Sequence, residues 1–247
     1  MNLSKLKETN TYIIIYATVM VIIVAFLLAF ISSALKPTQD ANVLRDTKNQ
    51  ILISLNLTGL KGEAVDRKFA EVVTDTIQVD DKVVYQASVE GATKYVLPVK
   101  GRGLWGGLWG YISVDEDKQH VYGTYFDHES ETAGLGARIK ERWFQEQFNG
   151  KPIFTDNPQQ VALTVVKKGQ SKAETEIDGV TGATLTSNGV ADMVTNGLQS
   201  YIGFLAGGQA SGCKKPLNER CGRCKAGMAC PEGESCEAES CTEVEQN

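Results

Sequence analysis

The residues most capable of chemistry in this chain are the hydroxyl-bearing side chains of one short run, residues 178–188 (DGVTGATLTSN). An amphipathic helix pattern follows the run as far as Leu205, so we expect the run to lie at a helix entrance with Thr186 or Ser187 as N-cap. The free N–H groups of a first helical turn favour an anion such as a phosphate, and Gly182 lets a ligand approach the backbone. The residues alone leave two interpretations open, an anion site and an ordinary helix cap.

The same run resembles the flavinylation motif of the FMN-binding domain family. That motif reads Asp-x-x-Thr-Gly-Ala-Thr-x-Thr, and in the family its last threonine carries FMN through a phosphoester bond. Thr186 occupies the position of the linked threonine. The other matching positions are Asp178, Thr181, Gly182, Ala183 and Thr184. The resemblance therefore implies covalent FMN on Thr186 and makes a plain cap the weaker interpretation.

A glycine-rich stretch at residues 101–110 (GRGLWGGLWG) is a second candidate. It contains Gly-x-Gly-x-x-Gly, but a dinucleotide fingerprint must open a helix, and a strand-like segment follows here. The dinucleotide site is therefore rejected, and the tryptophans either fill a gap or form a wall for a flat ring. Respiratory-complex members of the FMN-binding domain family carry a similar Gly-x-Gly-Leu-Trp segment close to the flavin. The resemblance implies that Leu104 and Trp105 contact the cofactor.

A polar loop at residues 128–136 (HESETAGLG) precedes a predicted helix over residues 138–148. It is similar to the Glu-Thr-Pro-Gly-Leu-Gly segment of the same family, whose backbone and side chains contact the isoalloxazine ring. Ala133 replaces the proline, which removes a restraint on φ. The flavin contacts implied by the resemblance are Glu131, Thr132, Gly134, Leu135 and Gly136.

Composition bounds the other possibilities. A length of 247 residues with 42% hydrophobic content allows one sizeable domain or two small ones beside a membrane segment. The net charge of -5 gives no reason to expect a nucleic-acid partner. The two histidines, His120 and His128, are too few for a histidine-rich metal site.

The segment from residue 12 to residue 31 is almost wholly apolar, and no charged residue lies between Glu8 and Lys36. About 20 such residues span a bilayer core as a helix, so we expect an N-terminal transmembrane anchor. A cleaved signal peptide is the alternative, because residues 32–34 resemble a cleavage site. The apolar run exceeds the usual apolar region of about 7–15 residues, which favours the retained anchor. Flanking positive charges are nearly balanced and leave the orientation open.

The chain divides into five predicted regions. They are an N-terminal tail at 1–11, a transmembrane anchor at 12–35, a helical linker region at 36–80, an FMN-binding domain at 81–208 and a cysteine-rich tail at 209–247. Helices are predicted over 40–57 and 64–77, and strands over 83–89, 94–99, 110–114, 121–127 and 160–167. The predicted fold class is α+β, a mainly antiparallel sheet with flanking helices behind one N-terminal transmembrane helix.

All six cysteines lie in the tail, which has too few apolar residues to form a core. They are Cys213, Cys221, Cys224, Cys230, Cys236 and Cys241. The single Cys-x-x-Cys lacks a second pair at zinc-ribbon spacing. Three disulfides are the first interpretation, and an iron–sulfur or zinc site is the alternative.

The resemblance as a whole implies an electron-carrying flavoprotein in a multi-subunit membrane complex. Within the family, the likeness is closest to flavin subunits of sodium-translocating NADH:quinone oxidoreductases, and the flavin subunit of the Rnf electron-transport complex is the relative to exclude. It also implies a bacterial inner membrane, with the soluble domain on the periplasmic side. A cofactor-free, membrane-anchored interaction module is the competing hypothesis.

How FMN would reach Thr186 is a separate question. A threonine hydroxyl is a weak nucleophile, and no base adjoins Thr186 in the sequence, so self-flavinylation is not expected. The resemblance implies a separate flavin transferase that uses FAD as the donor and recognises residues 178–186.

Overall fold

The computed structural model describes residues 10–207. The cysteine-rich tail and its predicted disulfides or metal ligands lie outside the described residues. The first element, α1 (Asn10–Ser54), is one helix of 45 residues and is therefore about 68 Å long. Its residues 12–44 are exposed, and the helix is long and apolar enough to cross a membrane by length and composition.

The predicted anchor and the helix predicted after it are one continuous element. We expected a new helix to begin at residue 40, but α1 passes through Pro37 and continues to Ser54. A proline removes one backbone hydrogen bond without ending the helix here, and the last turns of α1 are held by packing. Ile51 and Leu52 are fully buried against the domain.

The second predicted helix is only partly correct. The structure has α2 at Glu63–Val72 and then a strand, β1, at Val73–Val79, where we expected the helix to reach residue 77. The run Val72-Val73-Thr74 is β-branched, and such side chains fit a pleated surface better than a helix. The strand also has a partner, because Ile77 pairs with Val84 in the next strand.

The centre of the domain is a five-stranded antiparallel sheet in which each strand pairs with its neighbour in the chain. The remaining strands are β2 (Lys82–Val89), β3 (Ala92–Arg102), β4 (Gly107–Val114) and β5 (Val121–His128). All four were predicted, and the structure extends each by one to five residues. The α+β class with an antiparallel sheet and flanking helices is confirmed.

Each face of the sheet has its own core. Side chains alternate between faces along a strand, and the adjacent residues Val96 and Leu97 of β3 belong to two different apolar clusters. The cluster around Val96 contains the end of α1 and part of α2. The cluster around Leu97 contains the apolar face of the helix that follows residues 178–188. The sheet therefore separates the long helix from that helix.

The region between β5 and the motif is less regular than predicted. In place of one helix over 138–148 there are a 3-10 turn at Gly136–Lys140, a short helix α3 at Arg142–Gln145 and a 3-10 turn at Glu146–Phe148. Ile139 and Phe148 are buried as expected, whereas Phe144 is buried and Trp143 is only half-buried. The strand predicted over 160–167 is reduced to β6 (Thr164–Val166), which pairs in parallel with β7 (Glu176–Asp178).

The helix that carries the motif is α4 (Thr184–Gln199), followed by a short α5 (Ile202–Leu205). Its predicted apolar face is confirmed, because Val190, Met193, Val194 and Leu198 are buried. Two glycines let α4 approach β3 closely. A Cβ on Gly189 would clash with the carbonyl oxygen of Arg102, and one on Gly197 would lie 2.7 Å from Val99 Cγ1. The start of α4 is thereby placed against the glycine-rich stretch at the end of β3.

Candidate functional site

The site is built at the entrance of α4. Ala183 is the N-cap, so the expectation that Thr186 or Ser187 would cap the helix is wrong. The reason is Ser187, whose hydroxyl accepts a hydrogen bond from the Val180 N–H at 3.0 Å and closes the turn from inside the helix. Gly182 adopts a φ of 78°, which a side chain rarely tolerates. Thr186 consequently lies in the first turn as its third residue.

The hydroxyl of Thr186 is buried and has a charged partner. Thr186 is 2% exposed, and its Oγ1 donates a hydrogen bond of 2.7 Å to Oε2 of Glu131, which is itself 7% exposed. The sequence places no base beside Thr186, but the fold brings a carboxylate to it from 55 positions earlier. The loop at 128–136 and the motif at 178–188 therefore form one site.

Glu131 also connects the third predicted stretch. Its Oε1 accepts a hydrogen bond from the Trp105 N–H at 3.0 Å, and its own N–H donates to Nδ1 of His128 at 3.2 Å. Burial raises the pKa of Glu131, but hydrogen bonds from the Thr186 hydroxyl and from the N–H groups of Trp105 and Leu104 outweigh that and lower it below the ordinary value. Glu131 is thus an ionised acceptor at neutral pH.

Two glycines keep side-chain atoms away from this pair. A Cβ on Gly136 would lie 2.5 Å from both Glu131 Oε2 and Thr186 Oγ1. A Cβ on Gly103 would clash with Glu131 Oε1. The pair therefore requires glycine at both positions, each in a different one of the three stretches.

Four exposed apolar side chains belong to the same loops and helix entrance as the Glu131–Thr186 pair, and we call them the apolar rim; they are Leu104, Trp105, Leu135 and Leu185. Within residues 45–207 of the described chain, these are the exposed large apolar side chains, at 47%, 68%, 43% and 60% exposure. Exposed apolar side chains gathered at one place usually mark a binding site. Leu185 is not among the predicted contacts, although its position beside Thr186 and outside the apolar stripe of α4 could have indicated it.

The other predicted residues support the site rather than meet the hydroxyl. Asp178 holds the preceding loop, because its Oδ1 accepts hydrogen bonds from the N–H groups of Gly169 and Ser171 at 2.8 and 3.3 Å. Burial raises the pKa of Asp178, but hydrogen bonds from Ser171, Gly169 and Gln170 hold it below its ordinary value. The carbonyl of Thr132 accepts the Leu135 N–H at 3.1 Å and turns the loop.

Two further motif threonines line a cavity on another side of the helix entrance. Thr181 and Thr184 border a space of about 300 Å³ together with Lys167 and Lys168. Ala183 is buried, and Gly134 in the loop at 128–136 has a φ of 76°. The entrance is therefore open to solvent on the side where cationic side chains lie.

Known proteins resemble this chain in sequence and in fold. The family model described as FMN-binding domain matches residues 103–199, which contain the Glu131–Thr186 pair and its rim. The chain is 36% identical to the C subunit of Na(+)-translocating NADH-quinone reductase from Parabacteroides distasonis, whose structure is solved, and the TM-score is 0.65. The match covers 69% of this chain and 96% of the Parabacteroides chain. The chain belongs to this C-subunit family.

Other members extend the comparison. The C subunit of the same reductase from Haemophilus ducreyi is 40% identical over 115 residues, which are 44% of each chain, so the chain spans less than half the length of this curated relative. The crystal structure of Shewanella oneidensis NqrC has 20% sequence identity to this chain and a TM-score of 0.55. The match covers 65% of this chain and 97% of the Shewanella chain, and it shows a shared fold. Both solved structures therefore share the fold of this chain.

Proposed function

We propose that this protein is the electron-carrying flavoprotein subunit of a sodium-translocating NADH–quinone reductase, with FMN joined to Thr186 by a phosphoester. The observation that carries the proposal is a threonine hydroxyl in the first turn of α4, held by Glu131 in a site that also carries the exposed apolar rim. Membership of the C-subunit family supports this setting over an Rnf complex.

The phosphate end of FMN fits the helix entrance. The first N–H groups of a helix have no partner within it, and the helix dipole favours an anion there, by about 0.3–1 kcal/mol at an exposed position. A phosphodiester on Thr186 retains one negative charge and would lie at this end of α4. So small an energy does not retain a cofactor, and the covalent bond would supply the retention.

The ring of FMN fits the apolar rim. Leu104 and Trp105 lie in the turn between β3 and β4. Leu135 lies close enough to Gly182 that a Cβ on Gly182 would be 3.1 Å from Leu135 Cδ2. An isoalloxazine placed among these side chains would cover their apolar surface and keep an edge toward solvent. When bound, FMN supplies the ability to accept and donate electrons. The protein would hold and orient it for neighbouring redox centres.

The family and the long apolar helix α1 support a proposal for the membrane location and the partners of the protein. We propose that α1 anchors the protein in the bacterial inner membrane, that the domain lies on the periplasmic side, and that other subunits of the complex are its redox partners. A flavin transferase would attach the cofactor from FAD. The other residues proposed to contact FMN are Glu131, Thr132, Gly134, Gly136, Asp178, Thr181, Gly182, Ala183 and Thr184.

The test is mass spectrometry of the full chain co-expressed with a flavin transferase. We expect an FMN-sized adduct on the peptide that contains Thr186, in-gel fluorescence of the denatured chain, and loss of both in Thr186→Ala. Thr195→Ala is the matched control, because Thr195 lies on the same helix and its hydroxyl bonds to the Leu163 carbonyl at 3.0 Å. An unmodified wild-type chain would support the cofactor-free interaction module instead. Co-purification would identify the partner subunits.

A further inference from the structure

We propose that Glu131 is the base that activates the Thr186 hydroxyl when the flavin is attached, so that this protein contributes a catalytic group to its own modification. The inference rests on the proposed phosphoester at Thr186. It assigns to the loop at 128–136 a role in maturation, in addition to contact with the finished cofactor.

The geometry is that of a base holding a proton donor. Glu131 Oε2 lies 2.7 Å from Thr186 Oγ1, within the range expected for a base and the group it deprotonates. The other oxygen is fixed by the Trp105 N–H, which leaves Oε2 directed at the hydroxyl. Thr186 sits on a helix and is β-branched, which restricts its χ1 rotation, and the hydrogen bond to Glu131 holds the hydroxyl in place. Both partners are thus oriented before any donor arrives.

The chemistry requires such a partner. A neutral threonine hydroxyl is a poor nucleophile, and a positioned base typically accelerates a proton transfer step by about 10²–10⁴-fold. Protein kinases use the same arrangement, in which a carboxylate accepts the proton of the acceptor hydroxyl during phosphoryl transfer. In kinases the carboxylate belongs to the enzyme, whereas here it belongs to the acceptor protein.

The step balances without any oxidant or reductant. Thr186 Oγ1 forms a bond to the flavin-side phosphorus of FAD, and the bond from that phosphorus to the bridging oxygen breaks. The bridging oxygen and its electron pair leave with AMP. The hydroxyl proton passes to Glu131 Oε2 and then to solvent or to the departing AMP. Gly136 keeps side-chain atoms off Oγ1, where a Cβ would lie 2.5 Å away.

The experiment measures the rate of flavin attachment to the detergent-solubilised full chain by purified flavin transferase with FAD. Attachment is followed by in-gel fluorescence and by mass spectrometry. We expect Glu131→Gln to lower kcat by about 100-fold or more, with KM for the acceptor protein unchanged. The side chain of Glu131→Asp is one methylene shorter, so its carboxylate lies farther from the hydroxyl. The kcat of this variant should lie between those of wild type and Glu131→Gln. Glu129→Gln is the matched control, because the Glu129 carboxylate accepts the Gly107 N–H at 3.1 Å in the same loop.

Each outcome decides the inference. A Glu131→Gln protein that is modified at the wild-type rate overturns it, as does a loss confined to KM, which would assign Glu131 to docking of the transferase. If Glu131→Gln does not fold by circular dichroism, Glu131→Asp decides, since an unchanged rate overturns the inference and a reduced kcat supports it. If the wild-type chain itself is not modified, the result contradicts the proposed function. That outcome can be told apart from a failure of the proposed role of Glu131, in which wild type is modified.

Discussion

At the scale of single residues, one carboxylate joins three separate parts of the chain. Glu131 binds the Thr186 hydroxyl on α4 and the Trp105 N–H after β3 through its two oxygens. Since it is buried and ionised, its stabilising effect depends on these donors. Substitution at Glu131 should therefore affect the stability of the whole site, and unmodified protein separates this effect from the proposed role of Glu131 in flavin attachment.

The stability effect has a defined pH dependence. The pKa of Glu131 is lower in the folded protein than the unfolded value of 4.5, so ionisation stabilises the fold above pH 4.5, and this stabilisation is lost as pH falls through the lowered pKa. We expect unmodified Glu131→Gln to be less stable than wild type at pH 7 by about 1–3 kcal/mol. The difference should shrink below pH 4.5. Urea unfolding at a series of pH values measures it, and a difference independent of pH would contradict the assignment.

The two tryptophans of the glycine-rich stretch have different surroundings. Trp105 is 68% exposed in the apolar rim, whereas Trp109 Nε1 donates to Gln50 Oε1 of α1 at 3.3 Å on another side of the sheet. We expect Trp105→Ala to leave the extent of flavin attachment unchanged, because the Glu131 hydrogen bond uses only the backbone N–H, and to raise flavin fluorescence by removing a stacked quencher. Trp109→Phe is the control. Equal flavin fluorescence for Trp105→Ala and wild type would show that the isoalloxazine ring does not stack on Trp105.

The sequence identified the types of the site residues but not their pairing. The motif, the loop and the tryptophan segment were each recognisable as short patterns. The contact between Glu131 and Thr186 depends on how α4 lies across the sheet, which no local pattern encodes. The N-cap was misassigned for the same reason, because the bond from Val180 to the Ser187 hydroxyl depends on the three-dimensional path of the turn.

At the scale of elements, the position of α4 on β3 determines whether the site can form. Strands with clear alternation were predicted correctly, whereas β1 was predicted as the end of α2 because Val65, Phe69, Val72 and Val73 also satisfy a helical spacing. Residues 73–79 form a strand instead of a helix because they pair with β2. The close approach of α4 to β3 was not predicted, since it rests on glycines whose role becomes visible only when two elements meet.

A glycine substitution tests this close approach. A Cβ on Gly189 would clash with the Arg102 carbonyl oxygen, a backbone atom, so we expect Gly189→Ala to displace α4 and to lower the free energy of unfolding by about 1–3 kcal/mol. Flavin attachment should fall as well, because Arg102 precedes Gly103 beside Glu131. Gly203→Ala is the matched control, because a Cβ there meets nothing within 4 Å. Equal thermal unfolding temperatures for Gly189→Ala and Gly203→Ala would show that α4 and β3 accommodate the added methyl group without a loss of stability.

At the scale of the whole molecule, α1 serves two environments along its length. Residues 12–44 are exposed and largely apolar in their first half. Ile51 and Leu52 near the end of α1, and Leu55 directly after it, are 0–1% exposed in the core between α1, α2 and the sheet. The same helix is thus the proposed anchor and a structural part of the domain. The sequence separated these roles into an anchor and a linker region, because composition changes at residue 36 while the helix does not end there.

Truncation distinguishes the two roles of α1. Deletion of residues 1–38 removes only exposed side chains among the described positions 12–38, so we expect a detergent-free, monodisperse domain with the thermal unfolding temperature of the full chain and the same flavin attachment. Deletion of residues 1–55 also removes Ile51, Leu52 and Leu55, each of which stabilises the fold by about 1.5–3 kcal/mol through burial, and uncovers Val96 and Ala87 of the sheet. That shorter domain should unfold at a markedly lower temperature or aggregate. Gel filtration and calorimetry measure both properties, and equal stability of the two truncations would show that the end of α1 does not support the fold.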